Sequence, residues 1–278
     1  MLREALDFPT SGDHGSRAVL VGSLLVALAA VAASGTAALG TDGHPAALAA
    51  VAVAGLATLA IRGYYYRTVA VAATRPSPVA PSFEGLMRLL REGIVSTLLA
   101  AAYALPAALL FAAAAGIATL TNPGANPPDQ AILGQGVGAL AALLGLLALG
   151  AALYLTPAAA GTLARNGTFR DAVRFGTVLD AAATEDYAVG WLVATGLQWT
   201  VGLVAVVLSA LGIGVVLYFL TGVAARYLWG TALAAALDPG EVPTEGVTPP
   251  NRHRGDARMQ ELFLNSNIDE PTDGAESP

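Results

Sequence analysis

Between Tyr187 and Leu237 the chain runs for 51 residues with Arg226 as its only charged side chain. As one helix that stretch would reach about 75 Å at ~1.5 Å per residue, more than twice the ~30 Å hydrocarbon core of a bilayer. It must double back on itself. Gly212 and Gly214 in LGIG supply the hinge, since glycine takes positive φ without a steric penalty. Apolar runs of span length recur upstream at 18–39, 46–66, 94–120 and 137–163, and with 187–211 and 213–237 they make six expected spans. Only helices that satisfy their own backbone can cross lipid in this way. The expected fold class is therefore all-α, a polytopic transmembrane helical bundle.

Composition agrees with that reading and removes several function classes. Apolar residues make up 55% and charged residues 12%, against about 25% charged in soluble domains. No cysteine is present, which excludes disulfides, thiolate metal sites and thiol catalysis. The spans hold no buried acid pair, no His-Glu-x-x-His, no Gly-x-Ser-x-Gly and no phosphate loop. No catalytic, cofactor-binding or metal residue is expected, and the protein is read as non-enzymatic. Nucleic acid is not an expected partner.

The 14 basic residues are all arginine. Arg3 and Arg17 precede the first span, Arg62, Arg67, Arg75, Arg88 and Arg91 surround the second connection, and Arg165, Arg170 and Arg174 occupy the fourth. The alternate connections, near Asp42, near Asn126 and at the glycine hinge, carry none. The excess of arginine on one side predicts a cell-membrane protein with both termini cytoplasmic. Residues 1–17 read as a cytoplasmic segment rather than a cleavable signal, because their charge is mixed and the following apolar run is too long. LREALDF is either a short amphipathic turn or a frayed end. From residue 238 to 278 six prolines and nine acids against three arginines read as a disordered tail, in which a short helix around Met259–Leu264 is either a docking segment or a less polar patch. That tail is a candidate docking segment for a protein partner.

Two inner connections, 82–93 and 168–179, share [ST]-F-x4-R-[LF] and place their apolar residues on one helical face. Both are expected as amphipathic helices in the headgroup layer, with Arg88, Arg91, Arg170 and Arg174 toward anionic lipid phosphates. Ser82 and Thr168 are their expected caps, Thr168 with Asp171 in a capping box. The order span, amphipathic helix, span occurs twice, as in an internal repeat.

Proline within a span is tolerated when neighbours satisfy the carbonyl it frees. Pro106 follows Tyr103 by three residues, and Pro157 follows Tyr154 by the same spacing. Each pair is either a kink that improves packing or a hinge opening a cavity to a solute. Arg226 either snorkels to the interface, pairs with Glu92, Glu185 or Asp186, or holds a bound anion, and Gln198 is an interhelical hydrogen bonder. The leading functional expectation is a scaffold or envelope-associated protein acting through membrane lipids and protein contacts. The alternative is a permease or channel component for a small solute, using proline-kinked spans three and four.

Several motifs carry a family likeness. GYYYRTVAVA, SFEGLMRLLREGI with YALPAALLF, YLTPAAAGTLARNGTFRDAVRF, DYAVGW and RYLWGTALA follow one another between Leu6 and Leu237. In this order the chain resembles the archaeal multi-pass membrane proteins grouped as domain of unknown function 4013. The likeness rests on Gly63 and Tyr64, Tyr103 and Pro106, Asp186 and Tyr187, and Arg226, Tyr227 and Gly230. It implies a multi-pass bundle and assigns no chemistry. A salt-adapted source, with its acidic tail and lysine avoidance, would suit the same resemblance.

Overall fold

The long apolar stretch turns where the glycines stand. The computed structural model describes residues 2–39, 45–75, 78–121 and 127–237. Its penultimate long helix ends at Leu208, a 3-10 turn covers Ser209–Leu211, and Gly212 sits at φ 77° before the last helix begins at Ile213. A Cβ on Gly214 would lie 1.9 Å from the Ala205 carbonyl oxygen, so the two helices meet at the turn with no space for a side chain.

Among the described residues there are nine α-helices and no strand. They are α1 (Leu2–Asp7), α2 (Gly15–Leu39), α3 (Pro45–Thr74), α4 (Leu86–Leu120), α5 (Pro128–Asn166), α6 (Phe169–Val173), α7 (Phe175–Ala182), α8 (Glu185–Leu208) and α9 (Ile213–Leu237). Six of these, α2 to α5 with α8 and α9, are long and apolar enough to cross a membrane. The chain is an all-α, multi-pass membrane protein. The expected tail at 238–278 and its short helix lie outside the described residues.

Two elements differ from expectation. No separate helix spans 82–93: residues 78–85 are irregular, Gly85 adopts φ 71° without a side-chain cap from Ser82, and 86–93 form the first turns of α4. The helix continues through Gly93 because that glycine is a contact point. A Cβ on Gly63 would stand 2.0 Å from the Leu89 carbonyl oxygen and one on Gly93 the same 2.0 Å from that of Leu59. Backbone meets backbone at this crossing of α3 and α4, the close approach that small residues permit in lipid. The second connection, 168–179, is broken at Arg174, whose ψ of 100° separates α6 from α7. Thr168 does cap α6, its hydroxyl oxygen accepting the Asp171 N–H at 3.4 Å. The first connection runs into α4 and the second forms two separate short helices, so the two are not built alike.

The centre of the bundle is α9. Of its most apolar window 56% is buried, against 17–28% for the other five, although its mean hydropathy of 1.4 is the lowest of the six. A helix enclosed by protein has no need to match lipid, and its small residues matter more than its greasiness. Gly161 of α5 faces Leu233, Gly190 of α8 faces Ala232, and Gly22 of α2 faces Phe219, so three helices pack onto α9 at glycines. The aromatic core lies beside it: Tyr64 stacks on Phe83 at 4.3 Å between centroids and meets Phe219 at 5.5 Å. The N-terminal segment is folded against the same helix, with Ala5 and Phe8 buried and Phe8 lying 4.5 Å from the Tyr227 ring. On the outer faces of α4, α5 and α8, leucines such as Leu109, Leu133 and Leu203 stay exposed, as lipid contact requires.

Candidate functional site

The paired Tyr-x-x-Pro motifs are where α4 and α5 hold the α6–α7 segment. Tyr103 donates its hydroxyl to the Ala172 carbonyl at 2.7 Å, and Tyr154 donates to the Ala182 carbonyl at 2.5 Å. One tyrosine therefore pins α6 and the other the end of α7. Tyr187, fully buried near the start of α8, donates in turn to the Tyr154 carbonyl at 2.7 Å and meets that ring edge-on at 5.2 Å.

The two prolines part company. Pro157 is buried, whereas Pro106 is exposed on the outward face of α4. Pro157 has no N–H to offer the carbonyl four residues earlier, that of Leu153. The indole N–H of Trp191 takes its place, donating to the Leu153 oxygen at 3.2 Å. Tyr187 and Trp191 stand one turn apart on α8, so the donors to the neighbouring Tyr154 and Leu153 carbonyls come from one helical face. Their i, i+4 spacing is the sequence signal that could have marked them. A surface groove lined by His14, Arg17, Phe83 and Glu84 and another lined by Tyr154, Leu179, Ala182 and Glu185 both lack Pro106 and Pro157 in their walls.

Arg226 takes partners other than the acids expected for it. Its guanidinium carbon lies 4.4 Å from the ring centroid of Tyr65 and 4.8 Å from that of Trp229. Nη1 donates to the side-chain carbonyl of Gln198 on α8 and, at 3.3 Å, to the Gly222 carbonyl one turn back on α9. Gln198 is thus an interhelical hydrogen bonder, and α3, α8 and α9 converge on this one cation. Ring faces and carbonyl dipoles partly replace the water it has lost.

Glu92 is engaged elsewhere. It accepts from Arg67 Nε and, at 3.0 Å, from Arg88 Nε, while Arg67 Nη1 donates to the carbonyls of Ser82 at 3.0 Å and Glu84 at 2.9 Å. Arg67 thereby ties α3 to α4 and to the irregular segment between them, a role the sequence did not single out. Glu185 and Asp186 are exposed in the first turn of α8, where negative charge suits the helix N-terminus. Arg88, Arg91, Arg170 and Arg174 are all exposed. The 3.9 Å approach of Arg174 to Asp171 in that setting contributes little.

Residues 46–223 match the model of a family described as Protein of unknown function (DUF4013). The match begins in α3 and ends within α9, so the closing Arg226, Tyr227 and Gly230 lie beyond it. No curated protein and no solved structure matches the chain.

Proposed function

The chain belongs to the DUF4013 family, and from that premise we propose a non-enzymatic protein of the cell membrane that works through lipid and protein contacts at its arginine-rich end. The observation that carries the reading is the closed state of the proline site. The carbonyl freed by Pro157 accepts from Trp191, and Pro106 lies on the exposed face of α4, so the two kinks do not present backbone oxygens to one shared passage. The buried hydroxyls of Tyr103 and Tyr187 are spent on packing.

The arginine-rich end has what a headgroup layer asks for. Arg88, Arg91, Arg170 and Arg174 are exposed together with Phe169, Phe175 and Leu179, cations beside apolar groups. In this reading that end is cytoplasmic, both termini share its side, and the acidic tail offers a second surface to a protein partner. The test is the lipid retained by the full chain through detergent exchange. Changing all four arginines to glutamine should lower the anionic phospholipid recovered per chain several-fold. Unchanged recovery, together with no co-purifying protein, would remove the proposal.

A small-solute permease is the competing reading, and Arg226 is the feature in its favour. Flux into proteoliposomes that disappears in Pro106→Ala, Pro157→Ala or Arg226→Leu would establish it.

A further inference from the structure

The surroundings of Arg226 are rich in donors and poor in negative charge. Among the described residues no carboxylate pairs with it, and Glu92, on the neighbouring helix pair, is held by Arg67 and Arg88. A guanidinium carries five N–H donors, and only Nη1 is engaged here. Two further donors against it are buried without partners, the Trp229 indole N–H and the Tyr65 hydroxyl. The same α3 face brings a second cation: Arg62, one turn before Tyr65, makes no hydrogen bond or ion pair among the described residues.

A guanidinium with most of its donors unused, beside a hydroxyl and an indole N–H without partners, is costly within a span. Each unpaired donor keeps its desolvation penalty. An oxyanion would resolve all of these at once, and the planar guanidinium fork fits its oxygens two at a time. We propose that Arg226 and Arg62, with Tyr65 and Trp229, bind one phosphate-class oxyanion between α3, α8 and α9. Arg226 lies 11 residues before the end of α9, about 16 Å along its axis, within reach of a phospholipid headgroup drawn into the bundle. Free phosphate entering from the arginine-rich end offers the same chemistry. The lipid source rests on the lipid-contact reading above; the site itself does not.

Native mass spectrometry of the full chain in a neutral detergent, titrated with phosphatidylglycerol or phosphatidylcholine of matched chains, reads the first source. Thermal unfolding with inorganic phosphate reads the second. One tightly held phosphatidylglycerol, weakened at least tenfold by Arg226→Gln, several-fold by Arg62→Gln and less by Arg226→Lys than by Arg226→Gln, assigns a lipid headgroup. Saturable stabilisation by phosphate that Arg226→Gln abolishes, with no preference between lipids, assigns a free anion. Equal binding of both lipids and no phosphate effect in the native chain overturns the site, as does native-like binding in a folded Arg226→Gln. Should Arg226→Gln fail to fold, Arg62→Gln and Tyr65→Phe decide, and native-like binding in both overturns it. The variant lacking Arg88, Arg91, Arg170 and Arg174 keeps this ligand while losing surface lipid, so failure here and failure of the lipid-contact reading give different results.

Discussion

At the scale of single residues, the Pro157–Trp191 relation is a matched loss and gain. Proline deletes one backbone donor and an indole on the next helix supplies another. A side-chain hydrogen bond between membrane helices is worth on average ~0.6 kcal/mol and at most ~1.7, so Trp191→Phe should cost about 1 kcal/mol. In a Pro157→Ala background the restored alanine N–H returns to the Leu153 carbonyl, and the same Trp191→Phe change should cost markedly less. Unfolding of the four chains of this cycle in detergent measures the coupling, and equal losses in both backgrounds would refute the assignment. Arg226 gives a second case. Its charge rests on ring faces and a glutamine amide, so Gln198→Leu should lower the unfolding midpoint, while Gln198→Glu should raise it by supplying the missing negative charge. A midpoint for Gln198→Glu below that of Gln198→Leu would mean that the cation already has its counter-charge.

Individual elements show what single contacts accomplish in numbers. The α3–α4 crossing depends on two glycines whose missing side chains leave room for the opposite backbone. Gly93→Val would force the helices apart, and overpacking of this kind costs about 1–3 kcal/mol. The expected result is a lower unfolding midpoint with helical content retained, read by circular dichroism. The α6–α7 segment depends on two hydroxyls instead. Tyr103→Phe should loosen α6 and Tyr154→Phe the end of α7, each seen as faster amide exchange in that segment with α9 unchanged. Exchange rising equally through α9 would mean that the tyrosines support the whole bundle rather than pin one segment.

For the whole molecule, the prediction concerns threading. Six spans would place their two ends on one side, and in the proposed reading the arginines assign that side to the cytoplasm. The chain lacks cysteine, so single cysteines report cleanly. In sealed right-side-out vesicles, Asn166→Cys should resist an impermeant thiol reagent and Asn126→Cys should react. The reverse pattern would invert the proposed orientation. The bundle also has a clear inside and outside with respect to lipid: α9 is enclosed by small-residue contacts, and α4, α5 and α8 turn leucines outward.

The sequence by itself determined the number of spans, the turn at Gly212 and the arginine asymmetry. The cost of placing a stretch in lipid is summed along that stretch, largely without regard to its neighbours, and can be read from one helix at a time. It also placed Thr168 as a cap, because capping is decided within four residues. Tertiary structure alone decided that the least hydropathic span lies at the centre, that 86–93 belong to α4, that Glu92 serves Arg67 instead of Arg226, and that Trp191 closes the Pro157 kink. An alanine-rich chain offers small-residue faces on every helix, and lipid draws no distinction between one apolar pairing and another. Which helices meet therefore depends on how glycines, aromatic rings and a few donors fit together in three dimensions, which no single stretch encodes.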